Sequence, residues 1–325
     1  MELKSVYALK AEIRDVLTKG DVLTKGNAVV TALKKVFPSL PLQLPFAMGV
    51  RLRDKEGDYG LAIRLPHHGA WFHLMRPAFA KILKRIPRKE LDVKVVGRVQ
   101  FTGGNVPPHP ALRIGASIRH SDGSAGTIGF FAEKNGKLGV VSCNHVIARV
   151  DSGVAGDRLI GPGNIELTLH GEYPKLLTPN DKVADCAFAE FANGERPAVP
   201  GRLHGTARLL KTPLLPQKET LVRKIGSQTG STSGRVLVTE LENLDLDVGN
   251  GFTVTFDDVI EIESASTTQR FSNSGDSGSL VYSEDLRPVG LLFAGTAIGG
   301  TKKNGFSFAN RFEHVTANLG VDLVV

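Results

Sequence analysis

The chain has 325 residues, of which 41% are hydrophobic, and its mean hydropathy is −0.05. This length allows two domains or one large one, and the composition can supply a substantial core. No apolar run approaches the ~18–20 residues that a membrane-spanning helix needs, so we expect no membrane span. Charged residues recur throughout the first 30 positions, which argues against a signal peptide and for a cytoplasmic protein.

The formal net charge of +7 is spread unevenly along the chain. Residues 1–100 hold 19 Lys and Arg against 9 Asp and Glu, whereas the remaining residues hold 21 against 24. The positive excess therefore belongs to the N-terminal part. The change in composition coincides with a Gly- and Pro-rich stretch over residues 103–110, and it predicts a boundary near 101–111.

The first predicted element is a helical segment over residues 1–45. Apolar residues recur at helical spacing within residues 1–37, before prolines break the pattern. Between the two halves of this pattern, residues 15–20 are repeated as residues 21–26. Two copies do not make a repeat protein, so we interpret the hexamer as a duplication in a helical linker.

A small α+β module is predicted over residues 46–105. The pattern indicates strands at residues 48–52 and 59–65, with a turn between them at Gly57. A helix over residues 72–86 and a strand over residues 92–101 follow. Basic side chains cluster at the C-terminal end of this helix, and they are Lys81, Lys84, Arg85, Arg88 and Lys89. They suit either a solvated helix end or a docking patch for an acidic partner such as nucleic acid, anionic lipid or protein.

A histidine and an aspartate follow, each next to a strand-like run. His145 stands in a small-residue turn at the end of the apolar run 138–141. Asp185 heads a small and apolar run, and Asp181, four residues earlier, is the alternative carboxylate. Cys143 and Cys186 flank these positions, and they could be either free packed thiols or a disulfide.

A serine motif precedes the last strands of the chain. Ser277 lies in the sequence Gly275-Asp276-Ser277-Gly278, directly before an apolar run. The glycines permit a tight turn and a close approach of a substrate carbonyl to the hydroxyl. They also let backbone N–H groups converge on one point, as an oxyanion site requires. A surface turn would show the same four residues, so the motif needs partners before it indicates catalysis.

Residues 111–325 resemble a trypsin-like serine protease of the chymotrypsin fold. The order His, Asp, Ser is the order of that family. Within the family, the chain resembles a bacterial intracellular group related to the plant narrow-leaf protein. The resemblance depends on several segments in the right order, which are residues 115–118, 125–129, 156–163, 224–234, 289–295 and 308–310.

The resemblance implies a role for each residue of the motif. Ser277 would be the nucleophile, His145 the general base and Asp185 the carboxylate that orients the base. The backbone N–H groups of Gly275 and Ser277 would form the oxyanion hole. Neither a metal nor an organic cofactor is implied.

The resemblance also locates a substrate pocket and raises a question about activation. Phe271 would form the pocket base, with Phe293, Gly295 and the segment near Phe306 as its walls. None of these is acidic, so we expect an apolar or small P1 residue. Digestive relatives switch on when a freed N-terminal amine pairs with the aspartate before the serine. In this chain there are two alternatives. Either Asp276 has an internal partner, or the active site is held misformed until something else orders it.

The sequence as a whole predicts a mostly β double β-barrel protease preceded by a small helical and α+β region. We expect a serine endopeptidase that acts on protein or peptide substrates, in a dedicated intracellular processing, defence or signalling role. One alternative is a catalytically silent peptide-binding module on the same fold. The other is a basic regulator associated with nucleic acid. The N-terminal helices offer a surface for a homo-oligomer.

Overall fold

The computed structural model describes most of the chain. The described residues are 1–19, 46–53, 57–74, 77–102, 111–177, 184–192, 197, 199–203, 207–216, 220–249, 252–300 and 304–325. The second copy of the hexamer and Asp181 lie outside them, as does the predicted helical segment beyond residue 19. Within these ranges, no helix is long and apolar enough to cross a membrane.

The N-terminal part combines α-helices with short strands. Its elements are α1 (Leu3–Lys19), β1 (Ala47–Leu52), β2 (Tyr59–Leu65), α2 (Trp71–Leu74), α3 (Pro77–Leu83), β3 (Leu91–Val95) and β4 (Val99–Phe101). Strands β1 and β2 form the expected antiparallel pair, and β3 lies parallel to β2. The helices and these strands share an apolar cluster that includes Val6, Ile63 and Phe79.

Two predictions for this part differ from the structure in detail. Of the helix expected over residues 72–86, the described residues are helical up to Leu83, where the helix ends early, and residues 75 and 76 lie outside the described ranges. The strand expected over residues 92–101 is split into β3 and β4. Gly97 lies between them with φ of +81°, a left-handed conformation that ends β3 and redirects the chain.

Residues 111–325 are dominated by strands. The elements are β5 (Ser117–His120), β6 (Ala125–Thr127), β7 (Phe130–Lys134), β8 (Lys137–Ser142), α4 (Asn144–Ile147), β9 (Arg158–Ile160), β10 (Glu166–Leu169), β11 (Ala187–Phe191), β12 (Leu221–Gly226), β13 (Gly230–Glu242), β14 (Leu244–Gly249), β15 (Phe252–Phe256), β16 (Val259–Ser264), β17 (Leu280–Ser283), β18 (Pro288–Thr296), β19 (Phe306–Arg311), α5 (Phe312–Leu319) and β20 (Asp322–Leu323).

Six of these strands close a barrel. Neighbouring strands pair antiparallel around the ring β12, β13, β16, β19, β18 and β17, and β17 pairs again with β12. Alternate residues of β13 and β16 point inward, as the period of two in a strand requires. Its interior is filled by apolar side chains such as Val236, Ile262 and Phe271. We call this the C-terminal barrel.

The second sheet curls back on itself. Its strand order is β20, β7, β8, β11, β10, β9, β5, β6, so its two ends include the consecutive strands β6 and β7. The residues between them change partners. The amide of Ile128 donates to Ala116 O at 2.8 Å, and the amide of Gly129 donates to Val141 O at 2.9 Å. The same chain segment thus bonds to residues beside β5 and in β8, which brings the two ends of this sheet together. We call this curled sheet the N-terminal barrel.

The fold class predicted from the sequence is therefore confirmed. The protein is a mostly β double β-barrel, preceded by a small helical and α+β region. The boundaries at residues 45, 105 and 111 stay predictions.

The N-terminal region is joined closely to the C-terminal barrel. Strand β1 pairs antiparallel with β13, so both parts belong to one sheet. The buried guanidinium of Arg64 contacts the buried carboxylate of Glu261 at 2.6 and 2.8 Å, and it also contacts Asp92 at 2.9 Å. Strand β4 leaves the module altogether and pairs with β18 and β14.

Candidate active site

The imidazole of His145 is held by a buried carboxylate. Strand β8 ends at Ser142, and the following short helix α4 carries the histidine. His145 Nδ1 lies 2.5 Å from Asp185 Oδ2, and the His145 amide donates to Asp185 Oδ1 at 3.1 Å. Asp185 is fully buried, and its own amide donates to the side chain of Asn310 at 3.0 Å. These bonds fix the position of the ring. They also favour the tautomer with its proton on Nδ1, because that N–H can donate to the carboxylate.

The other ring nitrogen of His145 is buried and makes no hydrogen bond with the described residues. Buried polar atoms in native proteins are almost always paired. An unpaired nitrogen opposite a carboxylate-bound Nδ1 is therefore ready to accept a proton from a group that turns toward it.

The turn that carries Ser277 lies at the junction of the two barrels. Gly275 and Gly278 have φ of 104° and 91°, which is the region that favours glycine. A Cβ on Gly278 would come within 2.3 Å of both Thr127 O and Ser142 Oγ in the N-terminal barrel. The amide of Thr127 also donates to Ser277 O at 2.8 Å. The glycines thus allow the serine turn to pack directly against the other barrel.

Asp276, next to the serine, has an internal partner. Lys224 Nζ lies 3.2 Å from Asp276 Oδ2, and both side chains are fully buried. Burial lowers the pKa of Lys224, while the charge of Asp276 and its hydrogen bond act in the opposite direction. The sequence left open whether Asp276 has an internal partner or the site is held misformed. The structure shows an internal partner, the cation of Lys224.

Backbone amides complete the environment of Asp276. The amides of Gln228 and Thr229 donate to Oδ1 at 3.1 Å each, and the amide of Asn273 donates to Oδ2 at 2.9 Å. The hydroxyl of Thr229 donates to Oδ2 at 2.7 Å. This network ties the serine turn to β12 and to the turn between β12 and β13.

The serine hydroxyl contacts the end of strand β4. Ser277 Oγ lies 3.1 Å from the amide nitrogen of Thr102 and 2.8 Å from its Oγ1, and it donates to Phe293 O at 3.1 Å. The amide of Gly275 donates to Thr102 O. The ring of Phe101 stacks on His145, with centroids 3.9 Å apart and planes 14° apart. Residues of this chain thus cover both proposed reacting groups.

The side chain of Thr102 occupies a small uncharged pocket. Its Cγ2 lies 3.4 Å from the point where a Cβ on Gly295 would stand, and the oxygen of Phe306 is 3.1 Å from that point. Ser272 Oγ, 3.7 Å from the same point, shares a 2.7 Å hydrogen bond with Ser307 Oγ. Gly295 and the segment near Phe306 thus lie together at this pocket.

The side chains of the two phenylalanines proposed for the pocket, Phe271 and Phe293, are buried in the core. Phe271 packs its side chain in the interior cluster of the C-terminal barrel, near Ile262 and beneath Gly234. Phe293 is buried with its ring against Phe256, and its backbone oxygen is the atom that faces Ser277. Their roles in substrate binding stay predictions.

The residues Cys143, His145 and Asp185 bring three potential metal-ligand atoms within 4.8 Å of one another. Both cysteines are free and buried, and burial raises the pKa of the thiols of Cys143 and Cys186. A metal ligand would have to be the thiolate. Because Cys143 is held as a thiol that contacts Leu292 O at 3.2 Å, the cluster suits a proton relay better than a metal.

Sequence reasoning missed three of the residues at this site. Lys224 entered the sequence analysis only as the first residue of segment 224–234, and it was not named as a partner of Asp276. Phe101 was predicted to end a strand of the α+β module, and Thr102 was predicted only to belong to that module. The available signal was the position of Thr102 directly before the Gly103-Gly104 pair.

The fold and site together define a double β-barrel protein with a buried His–Asp pair and a serine turn at the barrel junction. No family model matches the sequence, and no curated protein matches it. Solved structures similar to the chain include Thermobifida fusca Protease A, 16% identical with a TM-score of 0.48, covering 66% of this chain and 99% of that chain. A glutamic acid-specific serine protease is 16% identical with a TM-score of 0.49 over 66% and 100% of the two chains. Cellulomonas bogoriensis chymotrypsin is 17% identical with a TM-score of 0.45 over 69% and 98%. Likenesses at this level transfer no activity to this chain.

Proposed function

We propose that the protein is a serine endopeptidase that hydrolyses peptide bonds through an acyl-enzyme on Ser277. His145 takes the serine proton and returns it to the leaving amine, while Asp185 holds the imidazole and stabilises its protonated form. The amides of Gly275 and Ser277 hold the oxyanion of the tetrahedral intermediate. The cytoplasmic location and the dedicated processing or defence role remain predictions.

The observation that carries this proposal is the arrangement of His145. Its Nδ1 is bonded to a carboxylate that is fully buried, and its Nε2 is buried without a partner among the described residues. A histidine that served only the core would use both nitrogens. A histidine that serves as a general base must keep one nitrogen free for the proton that it accepts.

The amide of Gly275 supports the proposal independently. It donates to a backbone carbonyl oxygen, that of Thr102, beside the hydroxyl of Ser277. A donor aimed at a carbonyl oxygen next to a nucleophile is the arrangement that stabilises the charge of a tetrahedral intermediate.

The pocket around Thr102 supports a small or apolar P1 residue. Its neighbours are Gly295 and the Ser272–Ser307 pair, which are small and uncharged. An arginine or lysine side chain would find no charge partner in these neighbours, so cleavage restricted to basic P1 residues would refute this part.

Covalent labelling with a fluorophosphonate tests the proposed function. The probe phosphonylates a serine only when a base and an oxyanion site activate it. We expect labelling of the full chain, with loss of labelling in Ser277→Ala and His145→Ala. Ser274→Ala is the matched control, because Ser274 is an exposed serine in the same motif and should label like wild type.

Strand β4 covers the serine, so a variant that displaces it belongs in the same experiment. Thr102→Arg places a long cation in a pocket that fits a threonine, and it should increase the rate of labelling. Absence of labelling in both wild type and this variant would refute the proposed endopeptidase and would favour a silent peptide-binding module. Labelling that survives in Ser277→Ala would refute the assignment of the nucleophile.

A further inference from the structure

Strand β4 lies across the proposed active site as an extended peptide would. It pairs antiparallel with β18 in the register Phe101 to Ala294, Gln100 to Gly295 and Val99 to Thr296. Pairing with a strand edge is a general mode of peptide recognition, in which main-chain hydrogen bonds position the peptide and pockets select alternate side chains.

The register places one particular residue at the nucleophile. The amide of Thr102 donates to Phe293 O at 3.4 Å, which continues the ladder of β4 by one residue. The carbonyl oxygen of the same residue accepts from Gly275, and Ser277 Oγ lies 3.1 Å from its nitrogen. The carbonyl group of Thr102 thus lies at the proposed oxyanion donor, while the nitrogen and hydroxyl of the same residue contact the proposed nucleophile.

We propose that the peptide bond following Thr102 is a self-cleavage site, so that this chain is its own first substrate. This inference rests on the proposed function, because it assigns the same site an intramolecular substrate. In substrate terms, Thr102 is the P1 residue, Phe101 the P2 residue and Gly103 the first residue of the leaving side.

The side chains at these positions fit their surroundings. The Cγ2 methyl of Thr102 fills the small pocket beside Gly295. The ring of Phe101 lies flat on the imidazole of His145, where it excludes water from one face of the base. Both features favour a small β-branched residue at P1 that is preceded by an aromatic residue at P2.

The reaction balances with water as the only added reactant. The hydroxyl of Ser277, which now donates to Phe293 O, turns its proton to His145 Nε2 as its oxygen attacks the Thr102 carbonyl carbon. The C–N bond to Gly103 breaks, and His145 returns the proton to the leaving nitrogen. Water then attacks the ester and gives a proton to His145, which passes it to Ser277 Oγ as the ester C–O bond breaks. The Thr102 carboxylic acid that is formed loses its proton to solvent.

Cleavage after Thr102 would leave in place the contacts that join the two pieces. Strand β1 remains paired with β13, and the buried Arg64 remains bonded to Glu261. Products must therefore be analysed under denaturing conditions, where these contacts are lost.

The test is a time course on the purified full chain, followed by intact mass and N-terminal sequencing of the fragments. We expect pieces that correspond to residues 1–102 and 103–325, with a new N-terminus at Gly103. The rate should be the same at low and high protein concentration, because the strand and the serine belong to one chain. Ser277→Ala should stay intact.

A matched pair of substitutions separates the pocket from a general effect on the strand. Thr102→Arg should stay intact while its Ser277 still reacts with the fluorophosphonate. Gln100→Arg places the same side chain at an exposed position of the same strand, and it should be cleaved like wild type.

The outcomes distinguish this inference from the proposed function. An intact wild type whose Ser277 labels would overturn self-cleavage and leave the endopeptidase standing. An intact chain with no labelling in any variant would overturn both. Cleavage that also occurs in Ser277→Ala, that occurs only at other bonds, or that speeds up with concentration would overturn the intramolecular site.

Discussion

Replacing Lys224 with methionine tests whether an internal cation maintains the serine turn. The methionine has a similar length and no charge, so it removes the partner of Asp276 while filling most of the space. Both groups are fully buried at a separation of 3.2 Å, and the lysine also contacts Gly230 O at 3.2 Å. Removing one partner of a buried ion pair costs ~3–5 kcal/mol, since the other charge stays buried and uncompensated.

The hydrogen bonds that remain on Asp276 place the expected cost at the low end of that range. The carboxylate keeps donors from the amides of Gln228, Thr229 and Asn273 and from the Thr229 hydroxyl. We therefore expect Lys224→Met to lose about 3 kcal/mol of unfolding free energy, or about 10²-fold in the folding equilibrium. The double variant Lys224→Met/Asp276→Asn should recover part of that loss, because it leaves no unpaired charge.

Urea unfolding of wild type, Lys224→Met and the double variant measures these losses. The pH dependence of the unfolding free energy has a predicted direction that can also be tested. Burial lowers the pKa of Lys224 in the folded protein below the usual 10.5. Between the folded and unfolded pKa values the unfolded chain binds more protons, so this group makes stability rise with pH in the alkaline range. The advantage of wild type over Lys224→Met should grow there. A loss under about 1 kcal/mol at neutral pH, a value typical of exposed pairs, would refute the structural role of this pair.

Three further predictions concern other buried groups. Arg64→Met should lose about 3–5 kcal/mol in urea unfolding because it leaves Glu261 buried without its cation, and a loss within about 1 kcal/mol would contradict this. Cys143 and Cys186 should resist iodoacetamide in the native protein, since burial raises the pKa of both thiols, and both should react after denaturation. Mass spectrometry gives the number of added groups, and modification of the native protein would contradict the prediction. Asp185→Asn should keep its melting temperature to within a few degrees but lower kcat by roughly 10⁴-fold, and a fall under about tenfold would count against its orienting role.

The sequence predicted the features of this fold that arise from local patterns. Apolar runs marked the strands next to His145, Asp185 and Ser277, and the small-residue turns around His145 and Ser277 pointed to chemistry because both patterns are local. The small and apolar run that follows Asp185 also favoured it as the carboxylate, and in the structure Asp185 is bonded to His145. The choice against Asp181 stays a prediction, because that residue lies outside the described ranges.

Other features depended on contacts between distant parts of the chain. Thr102 and Ser277 are 175 residues apart, and no local pattern indicates that β4 leaves its own module to pair with β18. The buried Arg64 resembled any strand cation until Glu261 was placed opposite it, 197 residues away. Charges in a sequence are normally solvated, so a buried pair becomes visible only when the fold brings its members together.

The pairing of β1 with β13 in one sheet limits how this protein can evolve. A gene lacking the first 110 codons would encode a barrel whose Glu261 has lost its partner Arg64 and whose β13 has an unpaired edge, which is a template for aggregation. A gene that exchanged this region for another would meet the same difficulty unless the new partner supplied both a strand and a cation. The two parts are therefore expected to be inherited as one unit, and the region before the barrels is a poor candidate for shuffling between proteins.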